Sequence, residues 1–170
     1  MREELLLDVP HRQIVFTIAK MLRIFFKYNR RLLGSLCRCA FRSLVRYFEG
    51  ITDDRLMPGI IAAIQTFGCR INFHPHLHFL VTEGGVDKAG VFHKISRIDD
   101  SRLAELFARE ILGFLVHEEL LSPEWADRLL SWRHTGFNVH SRVRARTKKE
   151  AERVGKYMIR PLLYGGRVPG

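Results

Sequence analysis

One period-two run constrains the fold of this chain more than any other feature. From Asn72 to Val81 it reads Asn-Phe-His-Pro-His-Leu-His-Phe-Leu-Val, with Phe73, Leu77, Phe79 and Val81 apolar. A strand sends successive side chains to opposite faces, so His74, His76 and His78 share the other face. Neighbouring rings then lie roughly 6–7 Å apart along the strand, and two such imidazoles can converge on one metal ion without bending the backbone. The bland alternative is a half-exposed sheet face, and the run alone does not decide between the two.

The rest of the chain supplies partners for that strand. His11 to Ile18 alternates Gln13 and Thr17 against Ile14, Phe16 and Ile18. Between Lys20 and Phe48 the period turns helical: Leu22, Phe25, Phe26, Leu33, Leu36, Ala40, Leu44 and Phe48 form an apolar stripe, with a break expected near Tyr28-Asn29. Pro58-Gly59 opens a strand from Ile60 to Phe67 that turns at Gly68-Cys69-Arg70 into the histidine strand, and Val91 to Ile95 reads as a short returning strand. Asp99-Asp100-Ser101 caps a helix to about Leu121, and Ser122-Pro123-Glu124 starts another to about Trp132. These two read as scaffold. Gly136 to Ala145 is a last strand with Phe137, Val139, Val143 and Ala145 expected on one face and Asn138, His140, Arg142 and Arg144 on the other. Thr147 and Glu150 have capping-box spacing, launching a helix to about Arg160 that Pro161 ends. The order β-α-β-β-β-α-α-β-α predicts an α+β domain, an antiparallel-rich central sheet of about five strands flanked by helices. That domain is expected over residues 1–163, with residues 164–170 a loose tail.

Charge narrows the partner. The formal net charge is +10, with about +6 in residues 1–50, about −4 in 51–132 and about +8 in 133–170. Basic segments on both sides of a mildly acidic middle point to a polyanion, most simply nucleic acid. Arg23, Lys27, Arg30, Arg31, Arg38, Arg42 and Arg46 recur at three, four or seven residues, a basic stripe whose plain alternative is a solvated helix face. No apolar run approaches the ~20 residues of a membrane span. The three cysteines, Cys37, Cys39 and Cys69, form no zinc-type pair and read as reduced thiols of a cytoplasmic protein.

The histidine face lacks a nucleophile, and the last helix offers one. Tyr157 lies three or four residues from Arg153, Val154 and Arg160, so one helical face presents a phenol flanked by guanidiniums, with Glu150 two turns back. A phenol, with an ordinary pKa near ~10, needs neighbouring cations and a polarised electrophile to act as a nucleophile. Plain amphipathic packing is the alternative. No Ser-His-Asp arrangement, Gly-rich phosphate loop or HExxH helix competes.

Pro10-His11-Arg12-Gln13 with Val15-Phe16-Thr17, Gln65-Thr66-Phe67-Gly68, Asn72-Phe73-His74-Pro75-His76-Leu77-His78, and Gly155-Lys156-Tyr157-Met158-Ile159-Arg160-Pro161 together resemble the transposases of rolling-circle insertion sequences, members of the HUH single-strand endonuclease superfamily. The likeness runs from about Leu6 to Leu163. It implies DNA transposition in a bacterial or archaeal cytoplasm. His76 and His78 would be metal ligands, Mg²⁺ or Mn²⁺ would polarise a phosphate of single-stranded DNA, and Tyr157 would attack it to form a 5′-phosphotyrosine. Imidazoles by themselves would suggest Zn²⁺ first. For the third ligand Gln65 and Glu150 are the candidates, with His140 behind them. Arg142, Arg144, Arg153, Arg160, His74, Lys27, Arg30 and Arg31 are expected on the DNA. A homo-oligomer stays open. Position 161 is Pro, so a second tyrosine four residues on is not matched, and neither the family's N-terminal cysteine-rich region nor its continuation past the tyrosine helix is found. The chain is therefore expected to be a shortened copy. The rival readings are a DNA-binding remnant without chemistry and a zinc hydrolase built on His76 and His78.

Overall fold

The structure, a computed structural model, describes residues 6–68 and 72–159. The expected tail at 164–170, Arg160, and most of the turn at 68–70 lie outside the described residues. Strand β1 (His11–Thr17) is followed by a 3-10 turn (Lys20–Leu22), α1 (Arg23–Tyr28) and α2 (Leu32–Thr52). Then come β2 (Ile60–Phe67), β3 (Phe73–Thr82), β4 (Gly84–Val86), β5 (Phe92–Lys94), α3 (Asp100–His117), α4 (Pro123–Leu130), β6 (Asn138–Ala145) and α5 (Lys148–Met158). The sheet has the order β2-β3-β1-β6, every pair antiparallel. It has four strands rather than about five, because the expected strand after Val91 pairs with Gly84–Val86 in a separate two-stranded hairpin. Glycine is required there: a Cβ on Gly84 would lie 2.0 Å from the His93 carbonyl oxygen.

Local signals set most boundaries. The helical run breaks at Asn29, whose backbone is extended (φ −128°, ψ 90°) and whose Oδ1 accepts from the Arg31 N–H. Asp99 and Ser122 cap α3 and α4 by accepting from the Arg102 and Trp125 amides. Thr147 and Glu150 form the full capping box of α5. The α3 helix stops at His117, short of Leu121, because Glu119 turns left-handed at φ 57°. Pro75 sits inside a central strand, where a missing N–H would ordinarily break a ladder. It is tolerated because β1 ends opposite His76 and the β2–β3 register shifts between Gln65 and Phe67.

Three layers result. On one side of the sheet, Ile14, Phe16, Leu77, Phe79 and Val81 meet the buried stripes of α2 (Leu36, Ala40, Leu44, Phe48) and α3 (Leu103, Phe107, Ile111, Leu115). Phe16 joins the layers, edge-on to Phe79 at 5.2 Å and to Phe107 at 5.0 Å. On the other side, Leu80 and Ala145 meet Ala151 and Met158 of α5, with Ile61 and Val154 beside them.

The alternation expected for β6 does not hold along its length. Val143 pairs with Gln13, but His140 pairs with Val15, so β6 spends two residues, Ser141 and Arg142, opposite Ile14. This bulge reverses the faces. Asn138 and His140 stay on the side of the histidines, while Arg144, opposite Arg12, is carried to the other side. There it forms two 2.6 Å bonds to Glu83, a carboxylate with a fully buried side chain. Arg12 also reaches Glu83 (3.1 Å) and donates to the Ser96 and Ser141 carbonyls. Burial alone would raise the Glu83 carboxyl, but hydrogen bonds and charge from Arg144 and Arg12 hold it below its ordinary value.

A carboxyl with a lowered folded pKa contributes stability that is full above its unfolded value of 4.5 and lost as pH falls through the folded value. Glu83→Ala should therefore cost about 3–5 kcal/mol in urea unfolding at neutral pH, by leaving two guanidiniums without their anion. The difference from the parent should shrink below pH 4.5.

Candidate active site on the histidine face

The strand register assembles the site. Opposite His76 lie Thr17 on β1 and Gln65 on β2; opposite His78 lie Val15 and Ala63. Thr17 in turn faces Asn138, and Val15 faces His140. One row, Asn138–Thr17–His76–Gln65, thus crosses the whole sheet on a single face. The imidazoles of His76 and His78 have ring centroids 5.0 Å apart, and those of His74 and His76 5.2 Å. Two rings bound to one ion at N–metal distances of about 2.1 Å would have centroids about 5 Å apart.

The ring nitrogens fit that use. Nδ1 of His76 donates to the His74 carbonyl at 2.7 Å, a bond that in the neutral ring selects the tautomer with the lone pair on Nε2. Gln13 Nε2 lies 3.0 Å from Nδ1 of His78. Turning that amide over makes Nδ1 the donor and gives His78 Nε2 the lone pair. His78 Nε2 is buried and has no hydrogen-bond partner, an orphan that a metal ion would satisfy. Burial, with His76 alongside, pushes His78 down to about 4, so it is neutral at physiological pH as a ligand must be. Among the described residues no three His, Cys, Asp or Glu side chains are grouped so as to hold an ion.

Gln65 and Glu150 differ sharply as candidates. The Glu150 carboxylate is engaged at the start of α5, where Oε2 accepts from the Arg146 and Thr147 amides. Gln65 stands next to His76 and donates through Nε2 to the Met158 carbonyl at 3.0 Å, leaving its amide oxygen for other use. That bond ties the end of α5 to β2, at the residue paired with His76. Tyr157, one residue before Met158, is 65% exposed there. His140 is two strand spacings, about 10 Å, from His78.

The expected DNA contacts separate into groups. Arg142 and Arg153 are exposed. Lys27, Arg30 and Arg31 are exposed around the α1–α2 break, with Lys27 over the Tyr28 ring. Arg144 is on the far face, held by Glu83. Two residues acquire roles that their sequence positions only partly signalled. Gln13 orients His78, legible only as the polar phase of β1. Arg23, one of the basic stripe, stands close enough to His74 to help lower its pKa, after the larger effect of burial, and its own Nε is buried with no partner.

Fold and site together describe a sheet-borne pair of imidazoles with a tyrosine helix laid over the same face. A family model, Y2_Tnp, described as "Putative transposase", matches residues 59–169. The chain is also 32% identical, over 95% of its length, to a protein of Pseudomonas savastanoi pv. phaseolicola named "Transposase for insertion sequence element IS801". The chain belongs to this family of insertion-sequence transposases. It spans 42% of the length of that relative. No solved structure matches it.

The link between α5 and β2, the strand beside the histidines, is directly measurable. Gln65→Ala should remove about 1 kcal/mol of local stability and speed amide hydrogen exchange in the last turn of α5 about fivefold, leaving exchange in β1 unchanged.

Proposed function

We propose that this chain is a catalytic core for DNA transposition, a metal-dependent nickase and strand transferase acting on single-stranded DNA through Tyr157. The observation that carries the reading is the meeting of two halves. His78 presents a buried, neutral nitrogen and His76 a tautomer-fixed one on the same sheet face, and Gln65 ties the tyrosine helix to the same row. His76, His78 and the amide oxygen of Gln65 would hold the ion. Two imidazoles and an amide suit Mn²⁺ better than a site of carboxylates alone would, and Mg²⁺ is the other candidate. When bound, the ion supplies a Lewis acid for a phosphate oxygen.

The chain's own residues do the rest. The Tyr157 oxygen forms a bond to phosphorus as the bond to the 3′ oxygen breaks; the phenol proton leaves to solvent, and the departing 3′ oxygen takes one up. The products are a 5′-phosphotyrosine and a free 3′-OH, and reversal on a new 3′-OH gives strand transfer. Exposure of Tyr157 suits attack on a polymer rather than on a small molecule in a closed cavity. Arg153, one turn back on α5, along with Arg142, Lys27, Arg30, Arg31 and His74, would contact phosphates and place the strand. Arg144 is omitted because Glu83 already neutralises it.

Tyr157→Phe should abolish the covalent protein–DNA adduct on a denaturing gel and leave DNA affinity within about twofold; persistence of the adduct would reassign the nucleophile. His76→Ala and His78→Ala should each remove Mn²⁺-dependent nicking, and nicking that survives would sink the metal assignment. Gln13→Leu should weaken Mn²⁺ binding by about 10–100-fold in calorimetry, since the partner that orients a ligand histidine carries that much affinity. A protein that binds single-stranded DNA yet never forms the adduct would be a DNA-binding remnant.

A further inference from the structure

A groove of about 530 Å³ runs along the outer edge of β6, beside α3 and the end of α4. Its size is in the range that accepts a nucleotide-sized ligand. Trp132, Ala104, Ala108, Asn138, His140 and Arg142 are among its lining residues. Asn138 and His140 belong at the same time to the rows that lead across β1 to His76 and His78. Two strand spacings make that path about 10 Å, no more than about three stacked nucleotides.

The groove's charges also sort themselves. Its two acids are engaged: Asp100 accepts from the Ser141 amide and hydroxyl, and Glu105 pairs with Arg109. Arg142, thrown outward by the β6 bulge, is exposed and has no acidic partner among the described residues. Trp132, two residues past the end of α4, is 42% exposed, a large indole left in solvent beside a helix otherwise explained as scaffold. An indole, an unmatched guanidinium and an amide beside a strand edge are the parts of a single-stranded nucleic-acid subsite: a ring to stack on a base, a cation for its phosphate, and a donor–acceptor for its edge.

We propose that this groove binds a nucleobase of the single strand a few nucleotides from the cleaved phosphate, with Trp132 as the stacking platform and Arg142 holding the adjoining phosphate. The proposal rests on the reading that the histidine face takes single-stranded DNA. It assigns α4 and the α3–β6 edge to substrate positioning, a role the nicking chemistry does not require of them.

The chain has two tryptophans, so Trp125→Phe leaves Trp132 as the sole indole. A dye-labelled oligothymidylate about a dozen nucleotides long, within the site size of such grooves, is titrated into that variant without metal. Quenching of Trp132 emission should track the rise in dye anisotropy. Trp132→Ala should weaken binding about 5- to 100-fold, and Trp132→Phe should recover most of the loss. Binding with no quenching, and with Trp132→Ala matching the parent, would overturn the groove while leaving the histidine-face reading intact. Failure of every variant to bind the oligonucleotide would overturn both. Quenching on binding, with no adduct at Tyr157 once Mn²⁺ is added, would uphold the groove and reject the chemistry.

Discussion

A single extra residue in β6 decides which chemistry each face of the sheet carries. Ser141 and Arg142 together stand opposite Ile14, and beyond them every β6 side chain changes sides. Before the bulge, Asn138 and His140 extend the polar face of β1 and β3. After it, Ala145 turns to that same face, where it packs under α5, and Arg144 turns away to meet buried Glu83. Without the bulge, Ala145 would leave the seat of α5 and Glu83 would lose its bidentate partner. The bulge is itself held in place, because the Ser141 carbonyl accepts from Arg12 while its amide and hydroxyl are held by Asp100. Arg12, Glu83 and Arg144 thus fasten the sheet on one face so that the other can remain polar.

That division explains how an exposed site can still be rigid. The histidines sit on β3, flanked on both sides by paired strands and backed by the aromatic contacts of Phe16, Phe79 and Phe107. Alternation gives the backing and the site on opposite sides of the same ten residues. Tyr157, by contrast, is carried by a short helix whose hold on the sheet includes the small cluster around Leu80 and Met158 and the Gln65 bond. One half of the proposed active centre is fixed by the core, and the other is laid over it. The role proposed for Tyr157, taking up a DNA end and later releasing it, suits such an element.

Much of this was legible in the residues. Alternation in 72–81 and 11–18 marks out the histidine face, the capping box marks the start of α5, and the extended Asn29 falls at the anticipated break in the basic helix. The β6 reading failed at the bulge because a bulge obeys pairing across strands, and a clean alternating pattern carries no trace of its partner's register. The strand expected at Val91–Ile95 forms, as Phe92–Lys94, but close passage of Gly84 under His93 pairs it locally rather than in the central sheet. Glu83 was invisible because it stands in a turn-like Glu-Gly-Gly run, and only the fold brings two arginines, 71 and 61 residues distant, onto it. The site residues that sequence spacing could identify are those that share an element; Gln13 with His78 and Gln65 with the tyrosine helix needed the sheet.

In the proposed function the histidine pair and Tyr157 act on one phosphate. Mass spectrometry of the proteolysed chain after incubation with single-stranded DNA and Mn²⁺ tests it most directly. A 5′-linked nucleotide remnant is expected on the peptide containing Tyr157, absent when a chelator replaces the metal and absent in the His78→Ala chain. A remnant on another residue, or the same remnant formed with chelator present, would contradict it.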